Sequence, residues 1–520
     1  MATLDRPGMG GVIDVAASTK REQYVLLPPR GLRSDNKELG DFFGSLSHMQ
    51  DPLSRVTRLF YGVSSVQVST ARTDIQVLDS IHEDGAKLVE MSPEGLSILR
   101  AAQPDIRVAP IVYYDVAVAP RPHIRQSAST ASTLPSLSLP ITVVSADNGQ
   151  VIPGATVIGF TNFASKTGAD GVTDANGNVA LGLSGNPTEL ERLYVYPRGG
   201  WWPLLEENVS LSPGDVIKLT RIDLAQQDLL REKYEATATP TDGMGIRIGV
   251  IDTGAGAHPD LLISGGANFV AGENPADYGD NGVGHGTHVA GIIGARGTVP
   301  LGMRGLAPEA EIYSYRVFAQ GTSTGAMNYV IAKAVDRAVA DGCHIINLSL
   351  TTADTEIVLS QALDDARAAG VIVICAAGND YRAPVGFPAS YAYSVGVSAF
   401  GRLGSFPNNA TQKGNAAPPY GADPNHFIAD FSNVGPDIDF TGPGVGIVST
   451  FPGGYGVLDG TSMACPAISG VCARLMSQNP TFLGLPANSS RVKQVHQSLV
   501  VQAILMGFGA TFEGQGFVKV

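Results

Sequence analysis

Ile246-Arg247-Ile248-Gly249-Val250-Ile251-Asp252-Thr253-Gly254 is an apolar run that ends in a carboxylate and a glycine turn. From about Leu229 such runs alternate with segments of helical period, which predicts α/β architecture: a parallel sheet covered by helices on both faces. The pattern places strands over 246–252, 311–318, 344–350 and 371–376, and helices over 285–296, 325–341, 355–369, 462–478 and 490–504. In the second of these helices Met327, Val330, Ile331, Ala334, Val335 and Ala338 fall on one face. Reacting groups in such a sheet gather at the carboxyl ends of strands, and Asp252 stands at one.

Two further stretches carry chemistry of the same kind. Gly284-His285-Gly286-Thr287-His288-Val289-Ala290-Gly291 opens a helix of small residues with a histidine. Gly460-Thr461-Ser462-Met463-Ala464-Cys465-Pro466 puts a hydroxyl at the start of another, where unpaired N–H groups and the helix dipole favour negative charge. Ser before an apolar run is by itself an ordinary N-cap. A serine nucleophile, however, needs a base in reach, and the base needs a group to fix its tautomer. Ser462, His285 and Asp252 supply those three residue types, each at the end of an element.

With these motifs the chain resembles the subtilisin-type serine peptidases, the subtilases, in which Asp, His and Ser in this chain order are already established rather than deduced from spacing. The resemblance covers nearly all of 242–520 and includes Asp430-Phe431-Ser432-Asn433-Val434-Gly435-Pro436, Pro443-Gly444-Val445 and Gly514-Gln515-Gly516-Phe517-Val518. It implies a three-layer subtilisin-like catalytic domain and an acyl-enzyme endopeptidase with Asp252, His285 and Ser462 as catalytic residues. Ala376-Ala377-Gly378-Asn379-Asp380 matches the family's Asn motif, so the Asn379 amide and the Ser462 N–H are the implied oxyanion donors. Substrate is expected as an extended strand beside Ser349, Leu350 and Thr351 and the 318–325 loop, with Ala376, Ala377 and Gly378 lining the site. Thr351 stands where the family pattern has Gly, and with Asp380 at the same rim this departure favours small or basic residues before the cut. His288, one helical turn beyond His285, reads as structural, and Cys465 as a buried helix residue. Phe387-Pro388 falls where the family often has a cis peptide.

The family commonly binds calcium through a loop after the histidine helix and an Asp matching Asp260. Residues Arg296 to Arg304 offer neither carboxylate nor amide, and one carboxylate is too few for a cation that takes six to eight oxygens. No metal and no cofactor is therefore expected. Residues 401–429 read as a surface insertion rich in Gly, Pro and Asn, open to autolysis.

Ahead of the catalytic part, short apolar runs return over 20–118, with Ser92 and Pro93 starting a helix between them. This small α+β segment resembles a subtilase propeptide, a folding aid and intramolecular inhibitor whose tail lies in the cleft. Residues 1–19 read as a disordered arm, 119–140 as a Pro- and Ser-rich linker, 141–222 as an all-β sandwich with an Asn176-Gly177 turn, and 223–241 as a second linker before 242–520. Trp201 and Trp202 read as packing residues of the sandwich. Self-cleavage is expected between Ile111 and Pro135.

The composition suits ordinary globular protein: 520 residues, 44% hydrophobic, 16% charged. A formal charge of -13 argues against nucleic acid or anionic membrane as partner and leaves protein or peptide substrates. Four cysteines, Cys343, Cys375, Cys465 and Cys472, fall in apolar runs and read as reduced thiols. With no basic-then-apolar start, they predict a cytoplasmic protein, or one exported by a non-Sec route. The rival to an enzyme is a catalytically silent binding protein of the same fold.

Overall fold

Ser92 accepts a hydrogen bond from the Gly95 N–H and Pro93 occupies the first turn, so the helix Pro93–Ala102 begins where cap chemistry puts it. In the computed structural model, which describes residues 20–47, 75–127, 136–184 and 189–520, this helix belongs to a unit that ends at Ile111. The unit holds an antiparallel sheet in the order Gln76–Ser80, Lys87–Met91, Glu22–Leu27, Arg107–Pro110. Leu26, Val89 and Met91 from the strands pack with Leu99 and Ile106, and with Leu39, Phe42, Phe43 and Leu46 of a helix, Lys37–Ser47, that the sequence reading passed over. The expected arm at 1–19 lies outside the described residues.

The second unit runs from Val112 to Val520. Its first part carries a sheet of Asn178–Ser184, Ser136–Ser145 and Val216–Leu219 and another of Leu204–Ser210, Glu189–Tyr196, Thr156–Asn162, Thr167–Val172 and Gln126–Ser127. Leu139, Ile141, Val143 and Leu219 of the first share one buried cluster with Val157, Leu193 and Val195 of the second. Trp201 is half-buried against that cluster, its indole N–H given to Ser145 Oγ at 2.8 Å. Of the stretch expected as linker, 128–135 lies outside the described residues.

The rest is organised on an eleven-stranded sheet. Ile263–Asn268, Glu311–Arg316, Arg247–Asp252, Ile345–Leu348, Ile372–Ala376, Val395–Arg402 and Phe440–Pro443 run parallel in that order, so their carboxyl ends share one edge. His285–Gly294 and Thr461–Gln478 cover one face and are buried along nearly their whole length. Asn328–Ala340 and Ile357–Ala368 are packed together elsewhere on the sheet, with half-buried polar residues such as Lys333, Asp336, Asp364 and Arg367 on their less buried sides.

Residues 401–429 are more ordered than a surface loop. His426–Ala429 pairs antiparallel with Val395–Arg402, and its four residues are buried. The main chain at Asn409 and Thr411 bonds to Leu205 and Pro203 of the preceding β part. The insertion thus joins two parts of the same unit, which is the reason it holds strand and 3-10 structure despite its Gly and Pro content.

Candidate active site

Asp252 closes the strand Arg247–Asp252, and the next elements turn back over that strand end. The helix carrying His285 approaches so closely that a Cβ on Gly286 would meet the Gly254 carbonyl at 2.4 Å and Asp252 Oδ1 at 3.1 Å; only glycine permits that packing. His285 Nδ1 consequently lies 2.7 Å from Asp252 Oδ1, both side chains buried. The same carboxylate oxygen takes the Thr253 N–H at 2.6 Å, which fixes its orientation.

His288 turns the other way and is bonded through Nε2 to the Ile447 carbonyl at 3.0 Å. Burial, with His285 beside it, pushes its pKa down to about 3, so it is a neutral structural residue.

Ser462 is the second residue of the helix Thr461–Gln478. Pro466 has no N–H to give back to the Ser462 carbonyl, and Ser349 Oγ takes over that bond at 3.0 Å. Ser349 is held in turn by Asn347 Nδ2 at 3.0 Å, and Asn347 Oδ1 accepts from Ser469 Oγ at 2.9 Å and from the Cys465 thiol at 3.2 Å. Cys465 is fully buried and desolvation raises its pKa, so it serves as a packed polar link.

Asn379 follows the strand Ile372–Ala376 and is buried. Its Oδ1 accepts the Thr461 N–H at 2.9 Å, while Nδ2 is buried with no hydrogen-bond partner. Thr461 Oγ1 accepts from the Gly378 N–H at 3.1 Å, so the loop after the strand and the helix start are pinned to each other. Ala376 and Ala377 are fully buried below that loop, and Phe387-Pro388 beside it is cis.

The cleft is filled by the chain itself. Tyr113–Val116 lies antiparallel between Ala326–Met327 and Leu350–Thr351, pairing Tyr114 with Ala326 and Leu350 with Val116. The Ala117 N–H is given to the Ser349 carbonyl at 3.0 Å and the Val116 N–H to the Ser323 carbonyl at 2.9 Å. The Ser462 N–H is given to the Ala117 carbonyl oxygen at 3.1 Å, and beyond it the Ala119 N–H reaches the Asp459 carbonyl at 2.9 Å. At Gly460, φ is +152°, and a Cβ there would sit 2.6 Å from the Ala117 oxygen, so any side chain would close the site.

One contact differs from the expected relay. With the chain threaded, the Ser462 hydroxyl is given to the Ser349 carbonyl at 3.0 Å, and His285 Nε2 is buried without a partner. The structure therefore brings Asp252 to His285, Ser349 to Ser462 and Asn379 to Thr461 at the same helix start, while Thr351 pairs with Asp115 of the threaded strand, with the imidazole nitrogen still to be engaged. Sequence reading did not find Ala117 or Glu356; the first is positioned by main-chain hydrogen bonds and is otherwise one small buried residue among many, and the second reads as an ordinary helix cap.

Asp260 lies where the family's calcium carboxylate is expected. Its Oδ2 accepts from the Met303 N–H and the Tyr455 hydroxyl, both at 2.7 Å, so this oxygen already serves two protein donors.

Comparison with known proteins gives the family. A family model described as Subtilase family matches residues 243–516. The M-protease of Shouchella clausii is 33% identical over 344 residues, covering 63% of this chain and 82% of the relative. Subtilisin Savinase of Lederbergia lenta is 37% identical over 241 residues, 46% of this chain and 79% of the relative. An alkaline protease of Alkalihalobacillus alcalophilus is 33% identical over 344 residues, 63% of this chain and 82% of the relative.

These relatives overturn the cytoplasmic assignment, because alkaline proteases and subtilisins are secreted enzymes. The physical error lay in the thiols. All four cysteines are free and buried, and a thiol sealed in a core stays reduced without reporting the redox poise outside. Among the described residues no helix is long and apolar enough to cross a membrane.

Proposed function

This chain belongs to the subtilase family and is a serine endopeptidase, and on that premise we propose that it acts through Asp252, His285 and Ser462 and is made as a zymogen that cuts itself between Ala117 and Val118. In this reading the Ser462 hydroxyl leaves the Ser349 carbonyl and is given instead to His285 Nε2, which is buried without a partner in the threaded chain. His285 takes the hydroxyl proton as Oγ attacks the carbonyl carbon of residue 117. Asp252 on Nδ1 keeps Nε2 as the basic nitrogen and stabilises the imidazolium that forms. The developing oxyanion is met by the Ser462 N–H and the unpaired Asn379 Nδ2. His285 then protonates the departing nitrogen of Val118, and water releases the acyl group by the reverse path.

The observation that carries this reading is the Ser462 N–H on the Ala117 carbonyl, with the chain before it held as an extended strand and the Ala119 N–H given to the Asp459 carbonyl beyond it. The small residue at 117 is in keeping with the preference for small residues expected from Thr351. In the same reading the chain from 20 to the cut after Ala117 is the propeptide and inhibitor, 141–222 is a sandwich module that stays with the catalytic domain, and the Asp260 loop holds no calcium.

Mass spectrometry of wild type against Ser462→Ala tests the proposal. Wild type should give a fragment beginning at Val118, and the variant should remain intact. Processing in the variant, or a wild-type chain that stays whole, would remove autocleavage.

A further inference from the structure

Tyr114 is the fourth residue before the Ala117–Val118 bond and is fully buried although it lies in the cleft strand. Its ring packs beside Phe387, with centroids 6.4 Å apart. Its hydroxyl is given to Glu356 Oε1 at 3.0 Å. That carboxylate stands at the start of the helix Ile357–Ala368, and its position is fixed by other donors. Oε2 takes Asn328 Nδ2 at 3.1 Å and the Val358 N–H at 2.6 Å, and Oε1 also takes the Leu359 N–H at 2.8 Å. Desolvation and the neighbouring carboxylate push the Tyr114 pKa up, so the phenol is always the donor.

From this geometry we propose that Glu356 is a specificity-determining residue that selects tyrosine, over phenylalanine or an aliphatic residue, as the fourth residue before the bond cut in polypeptide substrates. The inference rests on the reading that Ala117 marks the cut. An apolar pocket alone discriminates weakly between phenylalanine and tyrosine, whereas one with a fixed acceptor at its floor favours the hydroxyl strongly. The acceptor here is charged and pre-placed by backbone N–H groups, so it costs no reorganisation when the substrate arrives. Together with the small residue at 117, the preferred substrate is an extended segment of the form Tyr-x-x-Ala before the cut.

The test uses the processed enzyme and three fluorogenic peptides that carry Tyr, Phe or Ala four residues before one Ala–Val bond. Wild type should show kcat/KM for the Tyr peptide about tenfold or more above that for the Phe peptide, the range expected of a hydrogen bond to a charged group. Glu356→Ala should bring that ratio close to one. Because the variant also loses a helix cap, Glu356→Gln, which keeps an acceptor for the N–H groups, provides a second measurement and should lower the ratio several-fold. A wild-type ratio near one, or a ratio unchanged in both variants, would overturn the assignment. If none of the peptides is cut at the Ala–Val bond, the reading of the cleft itself fails, and the inference falls with it.

Discussion

The main-chain N–H of Ser462 donates to the carbonyl oxygen of Ala117 at 3.1 Å, and this contact orders the rest of the site around one peptide bond. Ala117 is only 2% exposed and packs in the main buried cluster. Ala117→Trp should therefore slow conversion of the intact chain by at least about tenfold, because overpacking a filled site displaces the carbonyl from its donor. Densitometry of the intact and processed bands against time would measure it. Conversion at the wild-type rate would contradict a cut at 117.

Asn379 holds the Thr461 N–H with one end of its amide and keeps the other unpaired. Asn379→Ala should lower kcat by about 100- to 1,000-fold with a much smaller change in KM. That magnitude was measured for such a donor in subtilisin, a protein of the same family, and is taken over from it. Steady-state kinetics on one peptide would check it, and a loss confined to KM would place the amide outside the oxyanion site.

How much of this could be read from the sequence depends on where the information resides. Strands such as Arg247–Asp252 and Ile372–Ala376 were legible because burial on both faces leaves an unbroken apolar run. The helix Lys37–Ser47 was missed although Leu39, Phe42, Phe43 and Leu46 follow its period, since Gly40 and Gly44 inside it weaken the propensity signal. His426–Ala429 was hidden by its brevity among Gly and Pro. Asp252, His285 and Ser462 stood out because each closes or opens an element. The role of Ala117 leaves no trace in composition, because the cleft holds it by backbone groups that every residue has.

Asp260 joins three segments through Met303, Tyr455 and the Arg296 N–H. Tyr455→Phe should cost about 1 kcal/mol, seen as a lowered Tm, since it removes one hydrogen bond to a charged acceptor at a half-buried position. A chelator should leave the Tm of wild type unchanged. A drop in Tm on chelation, restored by calcium, would show that the loop does bind the ion.

His288 has a pKa of about 3 in the folded chain against about 6.5 unfolded, so the native state resists a proton that the unfolded state accepts. Its contribution is therefore complete above about pH 6.5 and is lost as pH falls toward 3. His344, lowered to about 4 by burial and by the Arg491 and Arg247 charges, acts in the same direction. Denaturant titrations of Ser462→Ala, which cannot digest itself, should give a midpoint that falls from pH 7 to pH 4. Adding His288→Asn should lower the midpoint at pH 7 and flatten its fall with acid. An unchanged slope would contradict a buried neutral His288.

Labelling the processed enzyme with a fluorophosphonate, followed by peptide mapping, tests most directly whether a serine here is activated by its neighbours. We expect a single adduct on Ser462 that is lost in His285→Ala and strongly slowed in Asp252→Asn. An adduct on another residue, or one that forms equally fast without the imidazole, would contradict the assignment of Asp252, His285 and Ser462 to one catalytic group.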